Sequence, residues 1–77
     1  MIVRPKYYFN VDLKEEFLQG RKLNYIAREL GVTPTYMSLI LRGKQAIDDY
    51  VIGCIVMALG YQEKDIKSKK EKYFTLK

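Results

Sequence analysis

Residues Leu23–Leu41 read LNYIARELGVTPTYMSLIL, and the fold turns on this stretch. Leu23, Ile26, Ala27 and Leu30 recur at i, i+3, i+4 and i+7, which puts one apolar stripe along an α-helix. Gly31 ends that helix. Thr33 and Pro34 then open another, with a hydroxyl at the N-cap and a proline whose φ is already helical at the first position. The spacing carries this second helix to about Leu41, with Met37, Ile40 and Leu41 as core residues, and Arg42-Gly43-Lys44 breaks it. Two short helices joined at Gly31 cross steeply, so the second projects from the body.

Outward from this pair the punctuation continues. Asp12 reads as the N-cap of a helix over Leu13–Gln19, with Glu15 and Glu16 in its first turn and Gly20 as its stop. A fourth helix starts near Asp48 or Asp49 and ends at Leu59, with Gly60 beyond it. Tyr50 to Leu59 are apolar on every side of the wheel apart from Gly53, so more than one face of this helix must be covered. One of those faces can belong to a partner subunit, and Ile52 and Val56 on this helix, with Tyr73 and Phe74 in the tail, are assigned to a dimer interface. Gln62–Ile66 reads as one helical turn and Lys67–Lys72 as a solvated charge run. Tyr73–Leu76 is strand-like and echoes Tyr7, Tyr8 and Phe9, so the two aromatic ends can pair as a small sheet, within one chain or between two.

The expectation is one all-α domain of four to five helices over residues 1–77: an extended N-terminal arm over 1–11, a helical body over 12–60 and a basic C-terminal tail over 61–77. A chain of 77 residues has a small core, and such domains commonly gain stability from disulfides, metals or association. With one cysteine and no histidine, Cys54 reads as a small buried hydrophobe, and neither a metal nor a cofactor is expected. No nucleophile–base pair or phosphate-cradling glycine loop appears, so the chain does not read as an enzyme, and nothing points to a small-molecule ligand. The longest apolar run, Val51–Leu59, is too short to span a bilayer. The lone cysteine and the absence of an apolar leader favour the cytoplasm.

The net charge of +5 is unevenly spread. Residues 21–44 carry Arg21, Lys22, Arg28, Arg42 and Lys44 against Glu29 alone, a sum of +4, and residues 61–77 add +3. Residues 45–60 carry −2 and residues 1–20 sum to zero. Clustered cations suit a polyanion partner.

The segment Ile26–Lys44, IARELGVTPTYMSLILRGK, resembles the helix-turn-helix of lambda-repressor-like (Cro/cI, XRE-type) DNA-binding domains, and the likeness extends over roughly residues 13–61. Ala27 matches the small residue where two helices cross. Gly31 matches the turn glycine, Val32 the apolar residue after it and Thr33 the capping residue. Gly43-Lys44 and Ala58-Leu59-Gly60 match the ends of the third and fourth helices. The resemblance implies a transcriptional regulator of prokaryotic or phage type, acting as a homodimer on palindromic double-stranded DNA. It puts Pro34, Thr35, Tyr36 and Leu39 at base-facing positions, and Thr33, Ser38, Arg42, Lys44 and Arg28 near phosphates. The chain departs from the pattern by having no Asn, Gln, Arg or Lys at the four base-facing positions, with Leu39 and Leu23 where polar residues are common. The bidentate pairs that discriminate bases are absent there, leaving methyl contacts, Tyr36 and DNA shape. The alternative is a module whose same face binds protein, as an inhibitor, antitoxin or assembly factor.

Overall fold

The computed structural model describes residues 4–77. Its helices begin and end where local chemistry dictates. Helix α2 (Leu23–Leu30) buries Ile26 and Ala27 and stops at Gly31, whose φ of 72° is one that side chains with a Cβ disfavour. Helix α3 (Pro34–Leu41) starts on Thr33, whose Oγ1 accepts a 3.1 Å hydrogen bond from the Tyr36 N–H. Asp48 caps helix α4 (Asp49–Ala58) in the same manner, accepting from the Val51 N–H at 3.0 Å.

Helix α1 (Lys14–Leu18) departs from expectation at both ends. A 3₁₀ turn over Val11–Leu13 precedes it, and the capping carboxamide is that of Asn10, which accepts from the Asp12 N–H at 3.2 Å. Asp12, expected as the cap, is inside the turn. At the other end the left-handed residue is Gln19, with Gly20 following it at positive φ.

The tail holds the larger correction. After a 3₁₀ turn at Glu63–Asp65, helix α5 runs Ile66–Tyr73, so the lysine run is helical. Its inward positions are Ile66, Lys69, Lys70 and Tyr73. Lys69 lays its Nζ over the Tyr61 ring at 4.3 Å from the centroid, and Lys70 reaches Asp49 at 3.0 Å. Lysine stems cover apolar surface while their heads stay wet, so a lysine-rich segment can still have an inner face. Strand β2 (Phe74–Leu76) then pairs antiparallel with β1 (Tyr7–Phe9), Tyr8 opposite Thr75, and Tyr7 also bridges Ile47 on the far edge. Residues 7–9 and 74–76 are therefore joined within one chain and belong to the body, rather than forming an arm and a tail. Residues 1–3 of the expected arm lie outside the described residues.

The result is a mostly helical domain with a two-stranded sheet, built around one core. Phe9, Phe17, Tyr73 and Phe74 form its aromatic end, with ring centroids 4.9 to 5.8 Å apart. Ile26, Met37, Ile40, Ile52, Ile55 and Val56 form its aliphatic end. Over the aromatic end, the Tyr73 hydroxyl donates to Glu16 at 2.7 Å and Lys72 pairs with the same carboxylate oxygen at 2.7 Å. No helix among the described residues is long and apolar enough to cross a membrane.

Two measurements check this account. Phe17→Ala removes the ring shared by Phe9, Tyr73 and Phe74, and urea unfolding should show a loss of about 3–5 kcal/mol. The hydrogen bonds from Lys72 and Tyr73 hold the Glu16 carboxyl below its ordinary value of 4.5, and the Val51 N–H does the same chiefly for Asp48. A lowered folded-state pKa stabilises the fold above the ordinary carboxylate range and loses that contribution as pH falls through the folded value. The melting temperature should therefore drop on acidification below pH 4.5, and Glu16→Gln should melt lower at pH 7 with a shallower acid decline.

Candidate nucleic-acid interface

Helix α3 has one side for the core and one for solvent. Met37, Ile40 and Leu41 are buried in the core, and the helix packs chiefly on α2 and also on β1. On the opposite side Thr35, Ser38, Leu39 and Arg42 recur at i, i+3, i+4 and i+7, and Leu39 is 37% exposed although it is a leucine. With Pro34 and with Leu23 from the first turn of α2, they line a shallow open depression. Its walls are methyl groups and hydroxyls, with the Arg42 guanidinium at one end.

Of the cations expected near phosphates, Arg42 lines this depression, and Lys44 and Arg28 are exposed elsewhere on or beside the helix pair. Arg42 and Lys44 follow α3 and are exposed, held in place by a tight turn in which the Lys44 and Gln45 N–H groups both donate to the Leu39 carbonyl, at 2.9 and 3.2 Å. Gly43, at φ 72°, makes that turn, and a Cβ there would come within 3.3 Å of Val11. Arg28 is exposed in the last turn of α2, and Lys22 is exposed beside Leu23. None of these four enters an ion pair among the described residues. Glu29, the one acid of residues 21–44, lines a groove with Leu30, Cys54, Met57 and Ala58 instead. The charge of the segment is thus sorted, with its acid turned toward α4.

Three of the four base-facing candidates, Pro34, Thr35 and Leu39, share the depression. Tyr36 does not. It sits about 100° round the helix from Thr35, half-buried in a furrow with Leu30, Val32, Ile40 and Val51. Ser38, expected near phosphate, takes its place at the centre of the outer face. Thr33 is exposed but already spends its hydroxyl oxygen on capping. Leu23, singled out in the sequence as a leucine where a polar residue is common, lines the same depression as Leu39.

The proposed dimer residues Ile52, Val56, Tyr73 and Phe74 are all buried in this chain's own core. A side chain already enclosed has no area to offer a partner, so these four residues cannot form a dimer interface. Among the described residues no group of three or more His, Cys, Asp and Glu could hold a metal ion. Compared with known protein-family models, curated proteins and solved structures, the chain matches none.

The division of α3 into two sides has a direct check. Thr35→Ala, Ser38→Ala and Leu39→Ala should each leave unfolding free energy within about 0.5 kcal/mol of the parent. Tyr36→Ala, which empties a packed furrow, should cost more than any of them in the same urea titration.

Proposed function

We propose that this chain binds double-stranded DNA, with α2 and α3 acting as a helix-turn-helix of lambda-repressor-like type and α3 entering the major groove. The observation that carries this reading is the outer side of α3: an exposed helix face that no other described element covers, lined at one end by Arg42, with Lys44 exposed just beyond it and Glu29 turned to another groove. An α-helix fits the major groove, where base edges are distinct, while flanking cations neutralise phosphates and release counterions. Phosphate contacts fix the position of the helix, and its outer face reads the sequence.

What that face reads follows from its chemistry. Thr35, Leu39 and Leu23 present methyl groups, and the matching feature in the major groove is the thymine 5-methyl. Ser38 and the Thr35 hydroxyl supply single hydrogen bonds, and Arg42 is the one side chain there able to bond a guanine bidentately. Selected sites are therefore rich in thymine at the positions under Thr35 and Leu39, with DNA shape adding discrimination elsewhere. In this reading the protein is a non-enzymatic regulator that works as a homodimer on a palindrome, since a single short helix contacts only a few base pairs. A second reading has the same face bind protein, and it is favoured by the paired leucines 23 and 39.

Fluorescence anisotropy on a duplex selected from random DNA, set against a scrambled duplex at several salt concentrations, decides between them. The selected duplex should bind more tightly, and Thr35→Ala with Leu39→Ala should erase the preference. Lys44→Ala should weaken both duplexes alike and reduce the slope of log K against log salt by about 1. A parent protein with no preference at any salt, or a preference that survives the double substitution, would overturn the assignment.

A further inference from the structure

The outer side of α4 is an apolar strip that no other described element covers. Tyr50, Cys54 and Met57 recur there at i, i+4 and i+7, with Tyr50 73% and Met57 50% exposed. They form a ridge about 10 Å long, bordered by furrows that meet at Cys54. Toward α2 and α3 the walls are Leu30, Val32, Tyr36 and Val51; toward α5 they are Gly53 and Ile66. Monomeric domains seldom leave so continuous an apolar strip in water.

The charges on this face are of one sign. The chain holds 14 lysines and arginines against 9 acids, yet no lysine or arginine lines any of these furrows. Their charged residues are Asp49, Glu63 and Glu29. Asp49 is already held by Lys70 at 3.0 Å. Glu63 and Glu29 are exposed and enter no ion pair among the described residues. Met57 shares one furrow with Glu63, from the 3₁₀ turn before α5, and another with Glu29, from α2. An uncompensated carboxylate thus borders the ridge from each neighbouring element.

We propose that this face docks a basic amphipathic helix of a partner protein. Apolar side chains at i, i+4 and i+7 of that helix lie in the furrows, and lysines or arginines bordering its stripe meet Glu29 and Glu63. The carboxylates select the sign of the partner. They repel nucleic acid and anionic membrane, and a second copy would set the same carboxylates across a two-fold axis with no free cation on the face to answer them. The form of the partner follows from the backbone. Within α4 the N–H and C=O groups bond to one another, so an extended peptide gains no strand-like bonds here. A helix arrives with its own backbone bonds made and packs ridge into furrow. Met57 adds a flexible side chain that adjusts to anchors of differing shape. The proposal stands without the DNA reading, since it leaves the outer side of α3 free.

The probe is a synthetic, end-blocked helix of about 18 residues, rich in alanine, with leucine at i, i+4 and i+7 and lysine beside each. In fluorescence anisotropy at about 0.15 M salt, where the net charge of the chain is screened, it should bind with a dissociation constant between about 1 μM and about 1 mM. Glutamate in place of its lysines should weaken binding about tenfold, and alanine in place of its leucines should abolish it. Glu29→Lys with Glu63→Lys, both exposed, should turn the preference toward the glutamate peptide. Asp12→Lys with Glu15→Lys makes the same change of net charge beside α1 and should leave the preference as it was. Cys54, which lines all three furrows, should react with a maleimide more slowly when the lysine peptide is bound.

No binding up to about 1 mM overturns the proposal. So does equal affinity for the two peptides, or a preference that survives the reversal at Glu29 and Glu63. Unchanged labelling of Cys54 would put the peptide elsewhere and overturn it too. Sedimentation of the parent at twice its 9.1 kDa, returned to the single mass by Met57→Lys, would give the face to a second copy instead. Thr35→Ala with Leu39→Ala separates this proposal from the DNA reading: it should alter duplex binding and leave peptide binding unchanged.

Discussion

Four aromatic rings hold this fold closed. Phe9 comes from one end of the chain, Tyr73 and Phe74 from the other, and Phe17 from α1 lies within 6 Å of all three. Two strands of three residues do not persist in water by their own hydrogen bonds. Here they persist because the rings beneath them are buried, and burying aromatic side chains contributes more than the few ladder bonds that accompany it. The Tyr73–Glu16–Lys72 contact then satisfies the one polar atom that the cluster carries inward. Without this closure α5 would lose its seat on α4, and Ile47, just before α4, would lose the strand it bridges to at Tyr7.

The consequence for α3 is that its position is determined from behind. The helix packs on α2 and β1, and Tyr36 is taken up by the furrow beside α4. What is left outside is a narrow strip with an unusual mixture of methyl groups and hydroxyls. A strip of this kind offers little hydrogen-bonding discrimination, which explains why the surrounding cations matter to any reading that involves DNA. The same sorting of side chains sends Glu29 to a groove beside α4 and leaves Arg42 and Lys44 exposed at the end of α3.

Much of this architecture was legible in the chain itself. Gly31, the Thr33–Pro34 step, Asp48 and Gly60 mark the bounds of α2, α3 and α4 to within a residue, because each acts through local backbone chemistry. Pairing of the aromatic ends was legible as an option, though not whether it joined one chain or two. Helix α5 was hidden because its inner positions are lysines, whose burial by stem is invisible to a pattern of apolar residues. Tyr36 was misplaced for a different reason: residue chemistry says what a tyrosine can bond, but the neighbouring helix decides which way it points. The same holds for α4. Its uniform apolarity announced more than one covered face, yet only packing shows that Ile52 and Val56 face inward while Tyr50 and Met57 do not.

The pairing of β1 with β2 also orders the events of folding. It joins residues separated by nearly the whole chain, whereas α2, α3 and α4 follow one another through short turns. Contacts between sequence neighbours form before those that must first close a long loop. The helix pair that presents Thr35 and Leu39 therefore takes shape early, and the chain ends come together over α1 as the closing step. Read in reverse, local opening begins at the seam between Lys6 and Lys77, where the sheet is held by a 2.8 Å hydrogen bond, and once it spreads into β1 it reaches an element that packs directly on α3.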